Sequence, residues 1–262
     1  MNDSFSYDAE LYELLHSGTP GDLAFYRKWC RGADNVLELG CGYGRVLCAL
    51  AELGCQLVGL DRAGDLLARA AHRRDALPPD TRRRIELVQG DMRSFELGRS
   101  FDRILIPYSG IYCLLDEEDC LHCLKCAVRQ LAPGGRLIFD AYLADDFHSG
   151  SDPRGDQSQT IEPVGSVDHR GVRYDVFERS LRKRGLQRLD VVYEYVPRAG
   201  GSVLEGTIPH RYLLSHQVEG LLTRAGLRLL HLHGDYRGGE LRSDSRLLVA
   251  IAEAAHQASE SE

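Results

Sequence analysis

Short apolar runs and longer helical periodicities alternate from Asn35 to Asp140. Val36-Leu37-Glu38-Leu39 reads as a strand closed by glycines, and Val46, Leu47, Leu50 and Ala51 then recur at helical spacing up to Gly54. Gln56–Leu60 predicts a second strand that stops at Asp61, and Leu66, Leu67 and Ala70 mark a helix ending before Pro78-Pro79. Further strands are expected at Ile85–Val88, Ile104–Ile106 and Arg136–Phe139. Between the last two, a helix starts near Asp116-Glu117-Glu118-Asp119, whose charges suit the positive end of a helix dipole. It closes at the turn signal Pro133-Gly134-Gly135. Such alternation predicts a doubly wound α/β core, a mainly parallel sheet with helices on both faces.

The pattern then changes. Ser149 to Gly165 is rich in Ser, Asp, Gly and Pro and reads as an exposed loop. Val172 to Leu213 alternates apolar and polar residues, as antiparallel strands joined by turns at Gly185 and Gly200-Gly201 do. A helix around Val218, Leu221 and Leu222 ends at Gly226. Leu227–Leu232 and Arg246–Ala252 are expected to finish the sheet as an antiparallel hairpin across Gly238-Gly239. The tail from Ala258 is expected to fray. The chain thus divides into lid helices and core at 1–140, a loop and β-rich lid insert at 141–214, and the completion of a seven-stranded sheet at 215–262.

Composition narrows the class. The chain has 262 residues, 43% of them hydrophobic, enough for one large domain with an insert. Its 32 basic against 39 acidic residues leave a net charge of −7, which argues against a nucleic-acid partner. No run approaches the roughly 18 apolar residues of a membrane span. Met1-Asn2-Asp3-Ser4-Phe5 lacks the regions of a secretory signal, so a cytoplasmic protein is expected. Eight cysteines over this length suggest a reduced compartment rather than a disulfide scaffold. Cys120, His122, Cys123 and Cys126 invite a metal reading. The cysteines fall at i, i+3 and i+6 of one helix, with no second ligand pair nearby, so packing is expected and no metal. The arginine-rich stretches at 73–84 and 179–188 read as solvated faces, the second with an anionic acceptor as its alternative.

The informative stretch is Glu38-Leu39-Gly40-Cys41-Gly42-Tyr43-Gly44-Arg45, which follows a strand and opens a helix. Glycines there let a ligand approach the backbone closely. Asp61 ends the next strand, where an acid can accept both hydroxyls of a ribose. Together they point to a nucleoside-containing cofactor. The spacing Gly40-x-Gly42-x-Gly44 departs from the G-x-G-x-x-G of dinucleotide sites.

With G-L-D-R at 59–62, Q-G-D-M at 89–92 and L-A-P-G-G-R-L-I at 131–138, the chain resembles class I S-adenosylmethionine-dependent methyltransferases from about Phe25 to Glu253. The resemblance implies a Rossmann-like fold and S-adenosylmethionine as cofactor. It implies that Gly40, Cys41 and Gly42 contact the methionine part, that Asp61 binds the ribose, and that Arg62 and Leu66 lie beside the adenosine. Asp91 and the Met92 amide would read the adenine, and Pro107-Tyr108-Ser109 would lie beneath the methyl sulfonium. Arg45 and Tyr26 match positions near the cofactor carboxylate.

Methyl transfer from a sulfonium is an in-line displacement on an activated electrophile, so alignment and exclusion of water dominate. Ile106-Pro107-Tyr108-Ser109 lacks the N/D-P-P-Y/F motif of nucleobase-amine and glutamine methyltransferases. A small-molecule acceptor is therefore expected, amine before hydroxyl, on a monomer or homodimer. Catalytic candidates are Tyr108 and His210; acceptor-binding candidates are Ser109, Tyr112, Arg211, Asp235 and Tyr236. Two other classes compete: a nicotinamide-dependent oxidoreductase, and a non-catalytic S-adenosylmethionine-binding protein.

Overall fold

The computed structural model describes residues 6–150 and 159–255. The expected loop at 149–165 lies partly, and the frayed tail wholly, outside the described residues. The chain forms two compact units. One comprises residues 19–111, 117–143 and 214–262; the other comprises 1–18, 112–116 and 144–213.

The larger unit carries a seven-stranded sheet, made of β1 (Asn35–Leu39), β2 (Gln56–Asp61), β3 (Ile85–Gln89), β4 (Phe101–Ile106), β5 (Leu131–Tyr142), β10 (Leu227–His233) and β11 (Leu247–Ala254). Their order is β10-β11-β5-β4-β1-β2-β3. β1 pairs in parallel with β2 and with β4, and β4 with β5, while β11 runs antiparallel to both β5 and β10. The order reverses at β1, so the crossovers on its two sides place helices on opposite faces. α2 (Asp22–Cys30), α3 (Arg45–Leu50), α4 (Gly64–Asp75), α5 (Pro79–Arg82), α6 (Glu117–Gln130) and α8 (Ser215–Arg224) complete this unit. Its core joins Phe25, Tyr26 and Cys30 of α2 to Val46, Leu47 and Leu50 of α3 and to Val36, Leu105, Ile138 and Val249 of the sheet.

Two local features follow from chemistry legible in the chain. Gly59 lies where α3 and the loop after β1 press on β2. A Cβ there would sit 2.7 Å from Leu47 and 2.8 Å from the Cys41 sulfur. In α6, Cys120, Cys123 and Cys126 line the buried face while His122 points outward, so these cysteines act as small apolar residues. All eight cysteines are reduced thiols.

The smaller unit is an antiparallel sheet of β6 (Gln159–His169), β7 (Val172–Lys183), β8 (Arg188–Pro197) and β9 (Leu204–Arg211), with α1 (Ala9–Leu15) and α7 (Asp145–Ser149). α1 is capped by Asp8, which accepts the amides of Glu10 and Leu11 at 2.9 and 3.0 Å. Leu11 and Tyr7 pack on Tyr174, Val176, Tyr195 and Ile208 of the sheet.

Two expectations need correction. Residues 159–165 belong to strand β6 rather than to a loop. Pro163 and Gly165 disguised it, and the structure accommodates them because β6 is an edge strand with a bulge between those residues. Pro133-Gly134-Gly135 is also no clean stop before Arg136. β5 starts at Leu131 and absorbs the three residues as an irregularity in its pairing with β4.

Candidate active site

Because β1 to β5 run parallel, their carboxyl ends share one edge of the sheet, and the order reverses between β1 and β4, where ligands of such sheets bind. The Gly40–Gly44 loop leaves β1 at this edge. Gly40, Gly42 and Gly44 have φ of +69°, +53° and +76°, values that a side chain resists. A Cβ at Gly40 or Gly42 would meet nothing within 4 Å, so these two glycines face open space beside the backbone. At Gly44 a Cβ would press on Ala70 of α4 at 3.1 Å, which makes that glycine a packing residue.

Asp61 fixes the loop. Its Oδ2 accepts the Gly42 amide at 2.7 Å and its Oδ1 the Ala63 amide at 2.8 Å. The Gly40 and Cys41 amides in turn donate to the Leu60 carbonyl. Burial raises the Asp61 pKa, and the two amides oppose that rise. An open glycine cradle beside a half-buried carboxylate at a strand end fits the polar chain and ribose of a nucleoside cofactor.

Other residues that the resemblance singled out fall on the same edge. Leu66 is buried on α4, and Pro107 is buried at the end of β4. Arg62 and Met92 are partly exposed. Asp91 is gripped by Arg93, whose Nε and Nη2 lie 2.9 and 2.5 Å from its two oxygens, and this holds its pKa below the usual carboxylate range. Arg45 pairs with Asp22 at 2.5 Å and stacks its guanidinium over Tyr108, 5.6 Å from the ring centre. Tyr26 is fully buried and donates its hydroxyl to Asp140. Tyr236 donates to the same carboxylate at 3.0 Å. Asp235 is exposed and accepts the amides of Arg237 and Gly239 at 2.8 Å, which makes it a turn former.

Tyr108 and Ser109 adopt left-handed φ of 54° and 60°, unusual for non-glycine residues and costing about 1–2 kcal/mol each. The Tyr108 amide donates to both Asp140 oxygens at 3.1 Å, and the Ser109 amide to the Asp140 carbonyl at 3.0 Å.

Tyr112, His210 and Arg211 belong to the smaller unit. Tyr112 is buried, donates to the Leu213 carbonyl at 3.3 Å, and lies 6.2 Å from the His210 ring. His210 is held neutral, its pKa lowered to about 4 by burial and by Arg188. His16 shares this property, at about 4, through burial and its proximity to His210. Its Nε2 lies 3.3 Å from the Tyr7 hydroxyl, which is 2.6 Å from that of Tyr195. In the arginine-rich stretch, Arg179 pairs with Glu194 at 3.0 Å and Arg188 with Asp190 at 2.9 Å.

Two acids escaped the sequence reading. Glu38 is buried, and its Oε2 has no hydrogen-bond partner; burial pushes its pKa up to about 8. Its place at the head of the glycine motif was the available signal. Asp140 lies near the carboxyl end of β5 in an apolar run, and only tertiary contacts reveal it. Glu38 carries a testable sign. A carboxyl whose folded pKa exceeds its unfolded value stabilises fully below pH 4.5 and loses that contribution as pH rises through about 8. Glu38→Gln is therefore expected to raise the melting temperature of the cofactor-free protein at pH 8.5 more than at pH 5. Equal effects at both would count against a protonated Glu38.

Residues 36–135 match the model of a family described as a methyltransferase domain. Over that stretch the chain carries a methyltransferase domain. This retires the nicotinamide reading. The chain is 28% identical over 88% of its length to dTDP-3-amino-3,4,6-trideoxy-alpha-D-glucopyranose N,N-dimethyltransferase of Streptomyces venezuelae, covering 94% of that protein. It is 26% identical to the cypemycin N-terminal methyltransferase of Streptomyces sp, over 97% of this chain and 99% of that one. Its fold matches the CcbJ methyltransferase from Streptomyces caelestis with a TM-score of 0.82 at 22% identity, over 98% and 100% of the two chains. No helix among the described residues is long and apolar enough to cross a membrane.

Proposed function

We propose that this methyltransferase transfers a methyl group from S-adenosylmethionine to an amine nitrogen of a small molecule. The observation that carries the reading is that both relatives above, matched over nearly their full lengths, are by name methyltransferases of amino groups: an aminosugar and a peptide N-terminus. An amine that arrives uncharged needs no base to attack the sulfonium.

In this reading Gly40, Cys41 and Gly42 hold the methionine part of the cofactor, and Asp61 the ribose. Arg62, Leu66, Asp91 and Met92 flank the adenosine, and Pro107-Tyr108-Ser109 wall the sulfonium. The cofactor supplies an activated methyl group; the protein excludes water and fixes the line of attack. Tyr108 and His210 serve turnover, while Ser109, Tyr112, Arg211 and Tyr236 serve acceptor binding.

The test is mass spectrometry of aminosugars, peptide N-termini and their hydroxyl counterparts after incubation with enzyme and S-adenosylmethionine. Methylated amines with untouched hydroxyl counterparts are expected; methylation confined to the hydroxyl series would overturn the reading. With an active amine in hand, Tyr108→Phe and His210→Ala are expected to lower kcat about tenfold or more while S-adenosylhomocysteine affinity changes little. Unchanged turnover in both would remove the two residues from the reaction.

A further inference from the structure

Asp140 has no assigned role, yet it joins three separate segments of the larger unit. It is 2% exposed at the carboxyl end of β5. One oxygen accepts the Tyr26 hydroxyl from α2, and the other accepts the Tyr236 hydroxyl from the β10–β11 connection at 3.0 Å. Both accept the Tyr108 amide at 3.1 Å. Tyr236 also packs on α2, its ring 5.4 Å from that of Phe25. Each carboxylate oxygen is thus pinned by one tyrosine, and the fork between them receives the amide of a residue in a strained left-handed conformation. A surface turn would relax; this one is fixed from three sides.

We propose that Asp140 is a positioning residue for methyl transfer. Its carboxylate, clamped by Tyr26 and Tyr236, holds the Tyr108-Ser109 turn in its left-handed form and so sets the wall against which the sulfonium methyl lies. The inference rests on the reading of that turn as the sulfonium wall, and is independent of the acceptor's identity. A carboxylate suits this work because all three partners are donors. Asparagine would present only one accepting oxygen and would turn an amino group toward a donor.

The test needs no acceptor. The enzyme is loaded with S-adenosylmethionine labelled with carbon-13 at its methyl, and the bound methyl resonance is followed by NMR alongside S-adenosylhomocysteine affinity. In Asp140→Asn the methyl resonance is expected to move from its wild-type position, with affinity falling no more than about tenfold. Should that variant fail to fold, Tyr26→Phe and Tyr236→Phe keep the carboxylate and release one oxygen each, and a smaller shift in the same direction is expected. In a cycle, Asp140→Asn with Tyr26→Phe is expected to look like Asp140→Asn alone, because one hydrogen-bonded unit is being removed. Shifts that simply add would indicate two unrelated perturbations and overturn the proposal, as would a wild-type resonance in the variants that fold. Tyr108→Ala separates the causes. If it also leaves the methyl resonance unmoved, the turn is not the sulfonium wall; if it alone moves it, the wall stands and Asp140 is not what sets it.

Discussion

Replacement of Asp61 by alanine is expected to weaken S-adenosylhomocysteine binding at least about a hundredfold. Two losses combine. The carboxylate accepts the Gly42 and Ala63 amides at 2.7 and 2.8 Å, so its removal frees the loop proposed to cradle the cofactor. The cofactor's ribose also loses its proposed acceptor. Hydrogen bonds to a charged group contribute about 1.5–3 kcal/mol each, and two of them exceed the roughly 2.7 kcal/mol of a hundredfold change. Asp61→Asn separates the two losses. Its side-chain oxygen still accepts one amide but cannot accept from both the loop and the ribose as a carboxylate does, so an intermediate affinity is expected. Isothermal titration with S-adenosylhomocysteine reads all three proteins. An Asp61→Ala variant within fivefold of wild type would show that this acid does not hold the cofactor.

The second large effect is acid lability of the smaller unit. His16 and His210 both have folded pKa values near 4, against about 6.5 when exposed, because burial penalises the charged ring. A depressed pKa means that their contribution to stability is fully present above pH 6.5. It is lost as pH falls from 6.5 through 4, by on the order of 3 kcal/mol for a shift of this size. A charge on His210 further disfavours charging His16, and Arg188 disfavours charging His210. Denaturant midpoints measured at pH 7, 5.5 and 4 are expected to fall steeply across this window. His16→Gln, which has nothing to titrate, is expected to start lower at pH 7 and to lose less on acidification. A parallel fall in wild type and variant would place the lability elsewhere, among the carboxylates.

Much of the proposed cofactor side could be read from neighbouring residues in the chain, because that chemistry is local. A glycine that must hold φ of +53° and stay open to a ligand cannot be replaced cheaply, so Gly40 and Gly42 announce themselves one after another. Asp61 is visible because it ends an apolar strand 21 positions after Gly40. Strand β6 was hidden because an edge strand tolerates proline and glycine that would break an interior one. Tyr26 and Asp235 differ in what the chain could show of their partners. Tyr26 donates to Asp140, and Asp235 accepts the Arg237 amide in a turn. A partner 114 positions away holds the first, and a local turn holds the second.

The alternation of strand and helix, the order of the motifs at 38–45, 59–62 and 89–92, and the acidic balance were determined by the sequence itself. Each depends on residues within a few positions, and backbone periodicity writes them into the chain. The tertiary structure decided what joins segments distant in sequence. It brought Asp140 under Tyr26, Tyr108 and Tyr236, left Glu38 buried with an unmet oxygen, and enclosed His16 and His210 as neutral bases. A buried ionisable group takes its charge state and partners from everything packed around it. That surrounding exists only once the chain has folded.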